Sequence, residues 1–316
     1  MDVQKVIFEE IKRKQIIMIH RHQRPDPDAV GSQVGLATIL QAAFPTKQIY
    51  IVGKQVPGLA WLGEMESVSD ELFDEALILV LDTANEPRVD DQRWRRGQEV
   101  IKIDHHPDDE PFGDLSWVNE TASSTSEMVT DFANRFELSI DKVAAAALYA
   151  GIVGDTGRFL YSDTTPHTMT VTAQLMATGI DAVTINQHED EMTLPVARLT
   201  AYLYEQVHVS EVGAAHVILS DATIKSFELG DAGTASLVPM LGKIATVKTW
   251  AIFEEQDDHS YRVRLRSKGP QINGLARQHH GGGHPLASGA KAQDLNEANQ
   301  MIAQLEQLTA DFKETI

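Results

Sequence analysis

Four short apolar segments, separated by helical patterns, limit the fold of this chain more than any other feature. Their apolar residues run continuously instead of alternating with polar ones, which is typical of parallel strands buried on both faces. The segments are residues 15–19 (QIIMI), 48–52 (QIYIV), 77–81 (LILVL) and 99–103 (EVIKI). Helical patterns occupy residues 30–43, 126–135, 142–153 and 166–177. The sequence therefore predicts an α/β fold for the N-terminal part, a mostly parallel sheet with helices on both faces.

The C-terminal part predicts a second, smaller α/β domain, and a chain of 316 residues is long enough for two hydrophobic cores. Strands are expected at residues 216–220, 249–253 and 261–266, helices at 235–241 and 272–280, and an amphipathic helix after Asp294. We place the first domain at residues 1–187, a helical linker at 188–204 and the second domain at 205–316.

The composition excludes several classes of protein. The chain contains no cysteine, so it has neither disulfides nor thiolate metal ligands, which suits the cytoplasm. Its apolar runs are too short to cross a bilayer, and its N-terminal segment has no apolar signal-peptide core. A formal net charge of −19 argues against binding along long duplexes, because such binding depends on neutralising phosphates. We therefore expect a cytoplasmic protein without a membrane segment.

Acidic and histidine side chains follow three of the predicted strands and one predicted helix. Because the carboxyl ends of parallel strands meet at one edge of a sheet, we expect these side chains to converge. Each of them alone has a simpler explanation, as a helix cap, a turn residue or a structural histidine. Their joint occurrence in one domain favours a shared site. The residues are His22, Asp26 and Asp28 after the first strand, Asp82 after the third, Asp104, His105 and His106 at the fourth, and Asp155 after a helix.

Two nearby features are expected to lie outside that site. Asp108 and Asp109 are predicted to be solvated loop residues, and His20 is interpreted as structural. The remaining side chains offer oxygen and imidazole nitrogen without sulfur, which suits hard or borderline divalent ions. Several carboxylates this close would repel one another without cations between them. We therefore expect two divalent metal ions, Mn²⁺ first with Mg²⁺ or Co²⁺ as alternatives, which clamp a phosphoryl group and activate a water molecule.

Four motifs occur in a fixed order: HQRPDPDAVGS beginning at His22, then LDTA, DHH and GDTG. In this order they resemble the motifs of the DHH family of phosphoesterases. The resemblance implies that Asp82 bridges two metal ions and that His106 faces the scissile phosphate, with Asp104 supporting a histidine from behind. Asp82, Asp104 and His106 are thus the implied catalytic residues. The implied metal ligands are His22 and Asp26 for one ion, Asp28, His105 and Asp155 for the other, and Asp82 for both.

The second domain contains a separate basic signal. In residues 261–266 (YRVRLR) the period-two rule puts three arginines on one face, and residues 259–293 contain no Asp or Glu. This predicts an anion-binding surface. Three glycines follow at Gly281, Gly282 and Gly283, and they would let backbone N–H groups approach a phosphate in a nest-like loop. A flexible loop after a helix is the alternative explanation.

The segments RSKG and GGGHPLASGA, with an asparagine between them, resemble the substrate-binding domain that accompanies DHH domains. The resemblance implies that these segments hold the terminal nucleotide and its phosphate. Position 280 departs from the pattern, because His280 stands where relatives commonly have a fourth glycine. Arg264 is added to the site from the strand face. The resulting substrate-binding residues are Arg264, Arg266, Ser267, Asn273, Gly282, Gly283 and His284.

The resemblance spans nearly the whole chain and is strongest to the nano-RNase and pAp phosphatase branch of the family. It implies metal-dependent hydrolysis of short single-stranded oligoribonucleotides to mononucleotides and of pAp to AMP. A phosphodiesterase for linear or cyclic dinucleotides, such as pApA or c-di-AMP, is the alternative that the shared motifs leave open. The glycine segment argues against a pyrophosphatase, and the complete set of acids argues against an inactive nucleotide-binding regulator. The oligomeric state stays open, with a homodimer as one alternative.

Overall fold

The computed structural model describes residues 2–229 and 234–313, and the chain divides into two compact units at residue 191. The first unit contains five parallel strands in the order β2-β1-β3-β4-β5. These are β1 Ile16–His20, β2 Gln48–Ile51, β3 Leu77–Leu81, β4 Glu99–Asp104 and β5 Leu115–Val118. The four predicted strands and the parallel sheet are confirmed. Strand β5 was not predicted, because it lies at an edge and its residues are mostly half-buried, without a continuous apolar run.

The helices of the first unit are α1 Val3–Arg13, α2 Pro27–Ala43, α3 Asp70–Phe73, α4 Thr125–Arg135, α5 Lys142–Asp155, α6 Pro166–Ala177 and α7 Ala182–Asp190. The four predicted helices of the first unit are confirmed as α2, α4, α5 and α6, whereas α1 and α3 were not predicted. Alternate residues of β1 enter two cores: Ile17 and Ile19 pack against α1, α2, α4 and α5, whereas Ile16 and Met18 pack on the other face. That second face is covered by α3 and by side chains of short turns, among them Trp94 and Phe112.

Helices α2 and α5 cross at very close range, and two glycines make this possible. A Cβ atom on Gly31 would lie 2.4 Å from the carbonyl oxygen of Ala147. A Cβ atom on Gly151 would lie 2.0 Å from Ser126 Oγ and 2.7 Å from Asp28 Oδ1. All three distances are shorter than any ordinary van der Waals contact. The close approach brings the end of α5 beside the start of α2, where several of the predicted site residues lie.

The second unit contains one mixed six-stranded sheet in the order β10-β11-β9-β8-β7-β6. Only β7 and β8 pair in parallel, and the other neighbours are antiparallel. The strands are β6 His208–Val209, β7 Ala214–Leu219, β8 Thr249–Glu255, β9 Tyr261–Ser267, β10 Gly282–His284 and β11 Ala287–Ala292. The helices are α8 Leu194–Gln206, α9 Asp221–Ser226, α10 Asn273–Gln278 and α11 Leu295–Asp311. A second, separate α/β domain is thereby confirmed.

Three details of the second unit differ from the sequence analysis. The segment predicted as a helix at 235–241 forms two 3₁₀ turns, Ala235–Leu237 and Leu241–Lys243. Gly282 and Gly283 lie in the edge strand β10, whereas the sequence predicted a nest-like loop at residues 281–283. Leu199 and Leu203 of α8, in the segment predicted as a linker, are buried in the core of the second unit. Among the described residues, no helix is long and apolar enough to cross a membrane.

Replacing Gly31 tests the close packing of α2 on α5. Gly31→Ala should destabilise the protein by about 1–3 kcal/mol, because the new methyl group would collide with the backbone of α5. The measurement is the midpoint of urea-induced unfolding. Gly58→Ala is the matched control, since a Cβ atom at Gly58 meets nothing within 4 Å. Equal midpoints for the two variants would contradict this account of the helix pair.

Candidate metal centre

The predicted ligands converge at the carboxyl edge of the parallel sheet. His22 follows β1, Asp82 follows β3, and His105 follows β4. Asp26 is the N-cap of α2, where its carboxylate accepts a hydrogen bond from the Ala29 N–H at 3.0 Å. The remaining two, Asp28 in the first turn of α2 and Asp155 at the end of α5, come from the close helix pair.

The six residues form two groups of side chains whose potential ligand atoms lie within 4.8 Å of one another. One group contains His22, Asp26 and Asp82, and the other contains Asp28, His105 and Asp155. Asp82 lies between them: its Oδ2 is 3.4 Å from His22 Nε2, and its Oδ1 is 3.6 Å from His105 Nε2. In the second group His105 Nε2 lies 3.0 Å from Asp155 Oδ2. The structure thus brings together all six predicted ligands.

Asp82 has an unusual backbone. Its φ of 49° lies in the left-handed region, which costs a residue other than glycine about 1–2 kcal/mol, although aspartate tolerates it better than most. The side chain is almost fully buried, and its Oδ1 accepts a hydrogen bond from the Thr125 hydroxyl at 3.3 Å. Strain of this kind at a strand end is common in functional sites, where the surrounding structure enforces it.

The carboxylate of Asp28 is held by the N-terminus of α4. It accepts hydrogen bonds from the backbone N–H groups of Thr125 at 2.7 Å and Ser126 at 2.9 Å. These N–H groups belong to the first turn of the helix, where the helix dipole also favours a negative charge. The sequence indicated the start of this helix but not its acidic partner, because Asp28 lies almost a hundred residues earlier in the chain. Thr125 and Ser126 are therefore site residues that sequence reasoning missed.

Several side chains of the two groups have raised pKa values. Burial raises the pKa of Asp28 well above its usual range, and the charges of Asp82 and Asp155 add to this effect. Burial also raises the pKa of Asp155, against the opposing effect of His105. Burial lowers the pKa of His105, but the charges of Asp155 and Asp82 outweigh it and hold this pKa well above its usual value. The same balance, with Asp26 and Asp82 as partners, raises the pKa of His22.

The donor set fits divalent cations. Four carboxylates and two imidazoles are gathered here, with Asp28, Asp82 and both histidines buried, and the raised pKa values of Asp28, His22 and His105 mean that these groups favour binding a proton when no other cation is present. Oxygen and imidazole ligands without sulfur suit hard and borderline divalent ions. The two groups, with Asp82 between them, would hold two such ions.

His106 is oriented by Asp104. Asp104 Oδ1 lies 2.9 Å from His106 Nδ1 and also accepts the His106 backbone N–H at 3.2 Å. Asp104 is completely buried, and its pKa is lowered because burial, which raises it, is outweighed by His106 and by Lys102. The ring of His106 is half-buried, with its Nδ1 3.4 Å from Asp82 Oδ1. This arrangement agrees with the expected support of a histidine by Asp104.

The residues predicted to lie outside the site have mixed outcomes. His20 is fully buried in an edge-on contact with Phe73, and burial lowers its pKa to about 3, as a structural histidine requires. Asp109 is exposed. Asp108 lies outside both ligand groups, as predicted, but it is not freely solvated, because its side chain is 32% exposed and its Oδ1 lies 2.8 Å from the Nζ of the buried Lys102. The sequence shows Lys102 within an apolar strand, but it does not indicate that Asp108 is its partner.

The three arginines of β9 share one face of the second sheet, as predicted, while Tyr261, Val263 and Leu265 are buried on the other. Two strand pairings place Arg264 in line with Gly289 and Gly282, and Arg266 in line with Ala287 and His284. The residues between each arginine and the edge strand are small. A Cβ atom on Gly282 would meet nothing within 4 Å. The face therefore has room for a ligand to lie against the backbone beside the arginines.

This basic face is less free of acids than the sequence indicates. Glu254 of the neighbouring strand β8 is buried, and its Oε1 lies 3.2 Å from Arg264 Nη1. Arg266 donates from Nη1 to the carbonyl oxygens of Leu265 at 2.8 Å and Ser288 at 3.4 Å. Ser267 Oγ accepts the Gly269 N–H at 3.0 Å, and Asn273 begins α10. The acid-free segment of the sequence thus faces a carboxylate from outside that segment.

Gly283 and His280, next to this face, both have a positive φ. Gly283 has a φ of 127°, and a Cβ atom there would lie 2.7 Å from the carbonyl oxygen of Ala287. His280 has a φ of 54°, a left-handed conformation that glycine adopts without strain. This conformation gives a physical reason for a glycine at position 280, and it shows that the backbone accepts histidine there.

Two protein-family models match the chain. The DHH family, N-terminal domain, matches residues 16–152, and the DHHA1 domain matches residues 206–311. The chain is 48% identical over 304 residues to the probable bifunctional oligoribonuclease and PAP phosphatase NrnA of Streptococcus mutans, covering 96% of this chain and 98% of that protein. It is 44% identical over 300 residues to the bifunctional oligoribonuclease and PAP phosphatase NrnA of Bacillus subtilis, covering 94% and 96% respectively.

A solved structure shares the fold over nearly the whole chain. An exopolyphosphatase-related protein from Bacteroides fragilis superposes with a TM-score of 0.86 and covers 98% of this chain and 97% of its own. Its sequence identity is 24%, so this similarity concerns the fold alone.

The metal-free protein should lose stability as the pH rises above about 6.5, which is the ordinary pKa of a histidine side chain. His22, His105 and Asp28 have raised pKa values in the folded state, so the folded protein binds more protons than the unfolded chain and its stability falls with rising pH. Urea-unfolding midpoints in excess chelator, measured at several pH values, test this. Asp28→Asn removes one carboxylate and should flatten the dependence, whereas a flat profile for the unchanged protein would contradict it.

Proposed function

Because the chain belongs to the DHH family of phosphoesterases and carries a DHHA1 domain, we propose that it hydrolyses short oligoribonucleotides to mononucleotides and pAp to AMP. The observation that carries the proposal is the pair of ligand groups with Asp82 between them, at the carboxyl edge of the parallel sheet. Similarity at 48% and 44% identity to proteins named for both activities supports this choice of substrates.

We propose that His22, Asp26 and Asp82 hold one divalent ion and that Asp28, His105, Asp155 and Asp82 hold the other, with Mn²⁺ as the ion of choice. When bound, two such ions supply positive charge to a phosphoryl group and activate water for in-line attack. Mg²⁺ and Co²⁺ share the preference for oxygen and nitrogen ligands and are the alternatives. The cysteine-free composition supports a cytoplasmic location as part of this proposal.

The side chains of the first unit have distinct tasks in this reaction. Thr125 and Ser126 fix the carboxylate of Asp28 through their backbone N–H groups, and Thr125 also donates to Asp82. His106, oriented by the hydrogen bond from its Nδ1 to Asp104, contacts the phosphate that is attacked. Water gives up a proton as its oxygen forms a bond to phosphorus, the bond from phosphorus to the leaving ribose oxygen breaks, and that oxygen takes up a proton, so that no net proton is gained or lost in these steps.

We propose that the basic face of the second sheet binds the terminal nucleotide of the substrate. The residues assigned to this task are Arg264, Arg266, Ser267, Asn273, Gly282, Gly283 and His284. Their support is the alignment of Arg266 with His284, and of Arg264 with Gly282, across the antiparallel strands. The guanidinium groups of Arg264 and Arg266 suit a phosphate, and the open space beside Gly282 suits the flat base of a nucleotide.

A phosphodiesterase for linear or cyclic dinucleotides is the second candidate function. The chain is 26% identical over 313 residues to the cyclic-di-AMP phosphodiesterase GdpP of Geobacillus thermodenitrificans, but it covers only 46% of that protein. This support is weaker than the full-length similarity to the NrnA proteins. The two functions would use the same metal ligands and differ in how the second nucleotide is accommodated.

A competition panel separates the candidate functions. We expect Mn²⁺-dependent hydrolysis of pAp and of RNAs of about two to five nucleotides, with slower turnover of c-di-AMP and none of pyrophosphate. Product release is followed by chromatography, with and without chelator. Asp82→Asn should abolish the activity, whereas Asp109→Asn, at an exposed position nearby, should retain it. A preference for pyrophosphate, or full activity in chelator, would refute the proposal.

Arg266→Ala tests the assignment of the basic face. Loss of a charge-assisted hydrogen bond to phosphate should raise the KM for pAp about 10–100-fold and change kcat much less. Lys291→Ala is the control, because this exposed cation lies in the same sheet and pairs with Asp258. If both variants show the KM of the unchanged protein, the nucleotide does not bind through Arg266.

A further inference from the structure

Lys102 is a charged residue whose side chain is completely buried in the first unit. It lies on β4, two residues before Asp104, and the period-two rule places both side chains on the same face of the sheet. Its Nζ is 3.1 Å from the carbonyl oxygen of Ala84, 3.3 Å from Asp104 Oδ2 and 2.8 Å from Asp108 Oδ1. Lysine is almost never buried this deeply unless its charge is paired, so these contacts define its environment.

The three partners belong to three different segments around the metal centre. Ala84 lies in the turn after β3, two residues beyond Asp82, whose backbone is left-handed. Asp104 ends β4, and Asp108 lies in the loop that follows the DHH motif. One ammonium group therefore links the turn that carries Asp82 to both sides of the histidine pair.

The two oxygens of Asp104 have separate partners. Oδ1 accepts from the backbone N–H and lies 2.9 Å from the Nδ1 of His106, while Oδ2 faces the ammonium of Lys102. Oδ2 is buried and has no hydrogen bond from the described residues, so its charge is balanced by the Lys102 ammonium 3.3 Å away, which favours the orientation in which Oδ1 faces the imidazole. If Lys102 were replaced by an apolar residue, Oδ2 would be buried without a charged partner, and the orientation of His106 would depend on one oxygen alone.

We propose that Lys102 is a positioning residue of the hydrolytic site, which holds Asp104 in the orientation that presents His106 to the phosphate. This inference rests on the proposed function, because His106 has its role only in that reaction. Asp108 is the outer anchor of the same ammonium, which gives it a task that its place in an open loop did not indicate. Lys102 itself does not touch the substrate.

The test is a double-mutant cycle between Lys102→Met and His106→Ala, assayed on pAp with saturating Mn²⁺. Methionine keeps the length and the apolar stem of the side chain but lacks the ammonium. We expect kcat of Lys102→Met to fall about 10–100-fold, the usual effect of removing a group that orients an active-site residue, with little change in KM. In the His106→Ala background the same substitution should cost less than about 3-fold, because Lys102 would have nothing left to position.

Two further variants make the test specific. Lys47→Met is the matched control: Lys47 Nζ also bonds backbone carbonyl oxygens, but at the start of β2, the opposite end of the strands from the metal centre, and kcat should be unchanged. Asp108→Asn removes the outer charge at a partly exposed position and should lower kcat by a smaller factor than Lys102→Met. If circular dichroism shows that Lys102→Met does not fold, Asp108→Asn takes its place in the double-mutant cycle with His106→Ala.

The outcomes distinguish this inference from the function on which it rests. If the unchanged protein hydrolyses neither pAp nor short RNA, or if His106→Ala keeps full activity, the proposed function or the role of His106 fails, and the inference fails with it. If those two behave as expected but Lys102→Met keeps the full kcat, or its effect multiplies with that of His106→Ala, only the positioning role is wrong. A matching loss in Lys47→Met would also overturn it.

Discussion

Mutual repulsion among buried carboxylates is the constraint on which the rest of this structure depends. Asp28 and Asp82 are buried with the half-buried Asp155 beside them, and burial together with the charges of Asp82 and Asp155 raises the pKa of Asp28. The protein offsets part of that repulsion with two imidazoles and with the N-terminus of α4. The remaining donor set fits divalent cations.

The two units gather side chains of opposite charge. The first gathers negative charge where bound cations would attract a phosphate, and the second presents arginines on one face of a mixed sheet in a chain with a net charge of −19. Even there, Arg264 is paired with the buried Glu254. This ion pair partly neutralises the basic face.

Residues that were predictable had a local signal. Four strands of the first unit were visible as continuous apolar runs, and the six predicted metal ligands stood in short sequence motifs. Strand β5 lacked such a run because it lies at an edge. Glycine at 281–283 suggested a loop, yet Gly282 and Gly283 pair with β11 in an edge strand, since an edge strand tolerates glycine when the neighbouring backbone comes close. Contacts from distant segments, such as Asp28 with α4, had no local signal at all.

The sequence by itself determined the parallel α/β sheet, the second α/β domain and the identity of the acidic and histidine side chains, because these follow from periodicity and from short motifs. Tertiary structure alone decided which oxygen faces which partner. It set the left-handed backbone at Asp82, the hydrogen bonds from the N-terminus of α4 to Asp28, and the burial of Lys102 between Asp104 and Asp108. The physical reason is that a buried charge takes its partners from whatever segments the fold brings within about 3 Å, and sequence distance does not limit that choice.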